Sequence, residues 1–208
     1  HRDLHLSIRR QRQMCIRDRQ WKGRICTRSG KHPYMAALTA SMIAHHGPEK
    51  AKAWLSGLRD NLARKPQGND RAQIKAIKEC VCDVAVINHY YMAKMFKDAK
   101  QVPWAQAVNV IFPNQSGRGT HMNVSGVALT KHAPNKDNAI KLMEFLASEA
   151  GQALYAQKNT EYPVKPGILW SPLQYSWGNF KEDSLSLAVV ADNRAAAIKL
   201  ADEVKYND

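Results

Sequence analysis

The sequence predicts an α/β fold with a largely parallel sheet. Three observations carry this. From Trp21 onward, short apolar runs of strand length alternate with amphipathic helical stretches, joined by short connections. Val81 to Asn88 is apolar on both faces, as a central parallel strand is. The 208 residues are 44% hydrophobic and 24% charged, a globular composition that excludes collagen, coiled coil and full disorder.

The elements follow in order. Arg24 to Arg28 reads as a short strand, Ser29 to Pro33 as a turn, and Pro33 as a helix start. Tyr34 to His46 reads as a helix with Met35, Leu38, Met42 and Ile43 on one face, ended by Gly47-Pro48. Glu49 to Ala63 follows, with Trp54, Leu55, Leu58 and Leu62 as its stripe. After the loop Pro66 to Asp70, Asn69 or Asp70 fits the N-cap of a helix over Arg71 to Glu79. Val81 to Asn88 is the clearest strand; Val108 to Phe112 and Val124 to Thr130 read as two more. Lys136 to Ala147 is strongly amphipathic, and a second helix runs from about Ser148 to Gln157. Residues 159–185, rich in Pro, Gly, Trp and Tyr, read as irregular. Leu187 to Val204 reads as the last helix.

Charge is unevenly spread. There are 31 Lys+Arg against 18 Asp+Glu, a net +13 that raises nucleic acid or an anionic membrane as partners. Residues 1–20 hold Arg2, Arg9, Arg10, Arg12, Arg17 and Arg19 against only Asp3 and Asp18. This stretch lacks periodicity and apolar mass, so it is expected to be disordered. It resembles a translated sequencing adapter, with a basic nucleic-acid arm as the alternative. It has no apolar core of a signal peptide. No apolar run reaches the roughly 18 residues of a membrane-spanning helix, so membrane insertion is not expected. Outside the arm the excess charge shows no interleaving with aromatics, which argues against nucleic acid.

No catalytic constellation stands out. Nucleophile elbow, zinc-protease, Walker and dinucleotide motifs are all missing from the sequence, so an enzyme is not expected. His32, His89, His121 and His132 fall in turns or at element ends and read as solvated; His45-His46 ends a helix. Cys80-Val-Cys82 is not a metal or redox spacing. Cys26 and Cys82 lie in or beside predicted parallel strands. Two buried free thiols are the simpler reading; a bridge requires adjacent strands with Cα atoms within about 7 Å. The odd feature is Asn88-His89-Tyr90-Tyr91, a tyrosine pair just past the carboxyl end of the strongest strand, where open α/β sheets bind ligands. The rings fit a core cap, or their phenol oxygens reach a ligand across a sharp strand-to-helix turn.

Four segments resemble the ferric-ion-binding periplasmic proteins of ABC iron importers. They are Arg24-Ile-Cys-Thr-Arg-Ser-Gly-Lys-His-Pro-Tyr34, Asp83 through Tyr91, Asn114-Gln with Arg118 through Lys131, and Glu161 through Pro166. The resemblance covers residues 21–208 in order. It implies a periplasmic-binding-protein-like two-lobe α/β fold with an incomplete amino-terminal lobe. Residues 21–120 and 171–208 would form the carboxy-terminal lobe, and 121–170 part of the amino-terminal one. It implies tyrosine phenolate ligands to Fe³⁺ at Tyr34, Tyr90 and Tyr91, with Arg28 or Lys31 beside a synergistic anion. It further implies a monomeric, periplasmic binding protein that delivers iron to an ABC permease. Further ligands from an amino-terminal lobe, and a secretion signal, have no match here, so a truncated parent is expected. Two alternatives remain: a binding protein whose tyrosines stack on an organic or phosphorylated solute, and a basic nucleic-acid-binding module.

Overall fold

The computed structural model describes residues 19–208; the arm lies almost wholly outside them. The described chain divides into two compact units. One runs through Asn123 and resumes over Phe180–Asp208; the other is Val124–Asn179.

In the first unit a 3-10 turn, Arg19–Trp21, precedes β1, Ile25–Cys26. Helix α1, Pro33–His46, starts with Pro33 in its first turn, where a missing N–H costs nothing. It ends because Gly47 takes φ 79°, with its N–H on the Ile43 carbonyl at 2.8 Å. Pro48 then opens α2, Pro48–Asp60, which buries Trp54, Leu55 and Leu58 as its stripe predicts. Helix α3 is Asp70–Lys78. Its N-cap is Asn69, whose Oδ1 accepts the Ala72 N–H at 3.1 Å. Asn69→Ala should therefore cost about 1 kcal/mol in a chemical melt and leave ligand binding unchanged. Strand β2, Val84–Ala85, pairs parallel with β1 in the register Ile25↔Val84 and Cys26↔Ala85. Helices α4, Tyr90–Phe96, and α5, Val102–Ala105, follow.

Near the carboxyl end the predicted last helix is two: α9, Leu187–Asp192, and α10, Arg194–Glu203, separated at Asn193. Between them and α5 in sequence lie the helices of the second unit. Helix α1 packs against α2, α9 and α10. The core joins Ile25, Met35, Leu55 and Leu58 to Val190, Ala197, Leu200 and Tyr206. Tyr206 is buried and its hydroxyl meets Thr27 Oγ1 at 2.9 Å. A Cβ at Gly30 would stand 2.8 Å from that ring, so glycine lets the chain end dock against the loop before α1.

Two expectations fail. Val108 to Phe112 and Val124 to Thr130 form no strand; among the described residues only β1 and β2 make a sheet. Apolar content signals a strand, but a strand exists only where a second one satisfies its backbone groups. Cys26 and Cys82 are not free thiols: they form a disulfide, with Cα atoms 6.0 Å apart. The β1–β2 pairing supplies the adjacency the bridge needs.

Where the chain leaves and re-enters the first unit, Thr120 and Glu182 form an isolated parallel bridge. Asp183, buried beside it, accepts from His45 Nε2 at 2.7 Å and lies 3.6 Å from Arg118 Nε. Arg118 also reaches His46 Nε2 at 2.8 Å. His121, expected to be solvated, is largely enclosed, and its Nε2 is buried without a partner. Burial above all, then the charges of Arg118 and His45, push its pKa down to about 4, against the pull of Asp183. The unfolded chain then binds the extra proton, so stability is complete above the ordinary pH 6.5 and is lost as pH falls toward 4. The loss between pH 7 and pH 5 should be roughly 2 kcal/mol. His121→Gln should flatten that part of the melting-temperature profile; an unchanged profile would assign the acid loss elsewhere.

The second unit holds α6, Lys136–Ala147, α7, Glu149–Leu154, a single π turn at Tyr155–Asn159, and α8, Pro172–Ser176. The predicted helix through Gln157 thus changes pitch after Leu154. Ser148 caps α7 through the Gly151 N–H. A Cβ at Gly151 would fall 2.2 Å from the Phe145 carbonyl oxygen, which is why glycine stands where α7 folds back. Helix α8, missed in the sequence, begins with a capping box between Ser171 and Gln174. Helix α6 buries none of its residues and leaves Ile140, Leu142 and Phe145 exposed despite its amphipathic pattern.

Candidate metal centre

Parallel pairing aligns the carboxyl ends of β1 and β2 at one edge, so the helices that follow them start side by side. Tyr34 is the second residue of α1; Tyr90 and Tyr91 are the first two of α4. The structure brings all three phenols together. Tyr34 Oη lies 3.0 Å from Tyr90 Oη and 3.5 Å from Tyr91 Oη. The Tyr90 and Tyr91 rings stack, with centroids 4.5 Å apart.

The cluster is half-buried, and this sets its protonation. Burial raises the Tyr90 pKa, and the hydrogen bonds with Tyr34 and Tyr91 add to it. Tyr91 is also raised, by burial first and then by its hydrogen bond with Tyr34. Without a cation the two are neutral phenols. A trivalent metal would have to displace their protons, so its binding would release protons and weaken in acid. Two cations flank the rings: the Lys94 ammonium is 4.8 Å from the Tyr90 centroid and 5.6 Å from that of Tyr91, and the Arg28 guanidinium is 5.3 Å from that of Tyr34. Among the described residues, no group of three or more His, Cys, Asp or Glu could hold a metal. The tyrosines are therefore the candidate donors.

The surrounding residues divide unequally. Lys31, expected near an anion, forms an ion pair with Asp202 at 2.6 Å on an exposed surface. Arg28 is partly buried and paired with Asp70. His32, expected to be a solvated loop residue, is the N-cap of α1. Its Nδ1 accepts the Tyr34 N–H at 3.3 Å, and its ring packs edge-on to Tyr34 at 4.5 Å. Burial lowers its pKa, and the Arg28 charge lowers it further. Sequence reasoning also missed Lys94. Its signal was present, since a residue three and four places after two helical residues lies on their face.

The sequence profile described as bacterial extracellular solute-binding protein matches residues 16–174. The chain belongs to this family. This bacterial extracellular solute-binding protein is 44% identical over 193 residues to iron uptake protein A1 of Synechocystis, covering 92% of this chain and 54% of the relative. Its fold matches the apo ferric ion-binding protein A of Pasteurella haemolytica with a TM-score of 0.89 at 53% identity, covering 93% of this chain and 61% of that one. A Trichodesmium protein solved in complex with iron and citrate matches with a TM-score of 0.86 at 40% identity, covering 92% and 61%. The solute-binding protein chain thus spans about half to three fifths of these relatives. The expected fold class holds: this is part of the two-lobed α/β architecture of periplasmic ferric-binding proteins, in a helix-rich portion. A family of solute-binding proteins, and not of enzymes, accounts for the missing catalytic set. No helix among the described residues is long and apolar enough to cross a membrane.

Proposed function

We propose that Tyr34, Tyr90 and Tyr91 bind ferric iron through their phenolate oxygens. The chain would then be the carboxy-terminal part of a protein that delivers the ion to an ABC importer. The observation that carries this reading is the convergence of three phenol oxygens, 3.0 and 3.5 Å from Tyr34 Oη. Fe³⁺ is a small, hard cation that favours anionic oxygen, and three phenolates balance its charge. The relatives, iron uptake and ferric ion-binding proteins, support iron as the cargo. The citrate in the Trichodesmium complex supports an oxyanion in the remaining coordination positions. That anion would sit at the first turn of α1 beside Arg28, with Lys31 in the same loop.

Further ligands would come from the part of the relatives' length that this chain does not span. The unit ending in Phe180–Asp208 would be the carboxy-terminal lobe. Val124–Asn179 would belong to the amino-terminal one. The bare apolar face of α6 supports this, because such a face requires a cover. Lobe closure over the ion and opening at the permease would be the transport cycle. A periplasmic site fits the family description and the Cys26–Cys82 bridge, since disulfides persist in oxidising compartments. The test is a titration with ferric citrate followed in the visible, where iron phenolate gives a charge-transfer band. A chain that develops no band and binds an organic solute instead would overturn the proposal.

A further inference from the structure

Asp70 lies outside the tyrosine cluster, at the start of α3, yet it is only 1% exposed. A buried carboxylate needs partners to offset its lost hydration. It does not serve as the helix cap, because Asn69 does that. Its partners instead stand beside the two segments that carry the tyrosines. Arg28 donates through Nη1 to Asp70 Oδ2, and the Asn88 N–H donates to Asp70 Oδ1 at 2.9 Å. The same Arg28 guanidinium lies 5.3 Å from the Tyr34 ring centre. The Asn88 carbonyl accepts the Tyr91 N–H at 3.3 Å. One carboxylate is therefore a single residue removed from Tyr34 on one side and from Tyr91 on the other.

We propose that Asp70 is a positioning residue that fixes the spacing between the Tyr34 oxygen and the Tyr90–Tyr91 pair by holding Arg28 and the Asn88 turn at once. This rests on the reading of the tyrosines as ferric ligands. Outer partners of metal ligands typically change affinity by about ten- to a hundredfold when removed. A merely structural ion pair would lower stability and leave the geometry of the bound metal alone.

The experiment compares the wild-type chain with Asp70→Asn, Arg28→Gln and the double variant. Each is titrated with ferric citrate and melted thermally. Asp70→Asn keeps an acceptor for the Asn88 N–H and removes the charge that holds Arg28. The expected result is ferric binding weakened about tenfold or more, with the charge-transfer band displaced in wavelength. Arg28→Gln should displace the band likewise, with at least as large a loss of affinity because Arg28 also stands beside the proposed anion, and the double variant should place the band no further than Asp70→Asn does, because in spacing the tyrosines one residue acts through the other. A band of unchanged position and affinity in both single variants, with only the melting temperature lowered, would overturn the positioning role and leave the ligand reading standing. A wild-type chain without a ferric band would overturn both. Should Asp70→Asn fail to fold, Arg28→Gln alone still reads the band position.

Discussion

Tyr91→Phe should weaken ferric binding by about a hundredfold or more, since a lost donor exceeds the loss of an outer partner, and so should lower the visible absorption reached at a given ferric concentration. The substitution isolates one atom. Phenylalanine keeps the ring that stacks on Tyr90 at 4.5 Å and the face turned to Lys94. It leaves the shorter Tyr34–Tyr90 contact of 3.0 Å intact. What disappears is one anionic donor and a 3.5 Å hydroxyl contact. The fold should barely notice, because a single exchanged hydrogen bond contributes about 1 kcal/mol and desolvation of the phenol offsets part of that. If these rings only capped the core, phenylalanine would serve as well and the titration would be unchanged. Absorbance titration beside a thermal melt separates the two: a diminished band and weaker binding with an intact melt support ligation, and an unchanged band and affinity refute it. Tyr90→Phe should behave alike. Tyr34→Phe should be more severe, since Tyr34 is the hydroxyl that both others meet.

How far the sequence foretold this site depends on the residue. The Tyr90-Tyr91 pair stood out because it follows an apolar run, and the carboxyl end of such a run is where α/β sheets bind ligands. Tyr34 entered only through the family resemblance; nothing in its own helical pattern distinguishes it from a core aromatic. Lys94 was legible by helical spacing and was overlooked. Asp70 was not legible. Its partner Arg28 is 42 positions away, and no local pattern encodes a contact made by tertiary packing. Helices α1 to α3 were read well because the α2 stripe and the Asn69 cap are local signals. The two lost strands failed for the complementary reason. Val108 to Phe112 and Val124 to Thr130 have strand composition, yet pairing is a property of two segments and not of one. Helix α6 shows the same limit: its pattern predicts a buried face, and the pattern cannot name the surface that buries it.

Cys82→Ser should destabilise the chain by about 4 kcal/mol, whereas Cys80→Ser should change almost nothing. The Cys26–Cys82 bridge spans 56 positions, a loop whose closure removes much freedom from the unfolded chain. Cys80 is exposed and free, so it serves as the matched control. The bridge also bears on the metal centre. It ties β1 to the residues entering β2, and those are the strands from whose ends Tyr34 and the Tyr90-Tyr91 pair depart. With only two paired residues in each strand, the ladder is too short to hold that register unaided. Reduction should therefore lower the melting temperature steeply and weaken ferric binding in parallel. Cys82→Ser should reproduce both effects without reductant and respond no further to it. Thiol counting on the unfolded, unreduced protein checks the pairing directly, because Cys26 and Cys82 must be unreactive while Cys15 and Cys80 label. A labelled Cys26, or a Cys82→Ser variant as stable as the wild type, would show that the strand pair holds its register by packing alone.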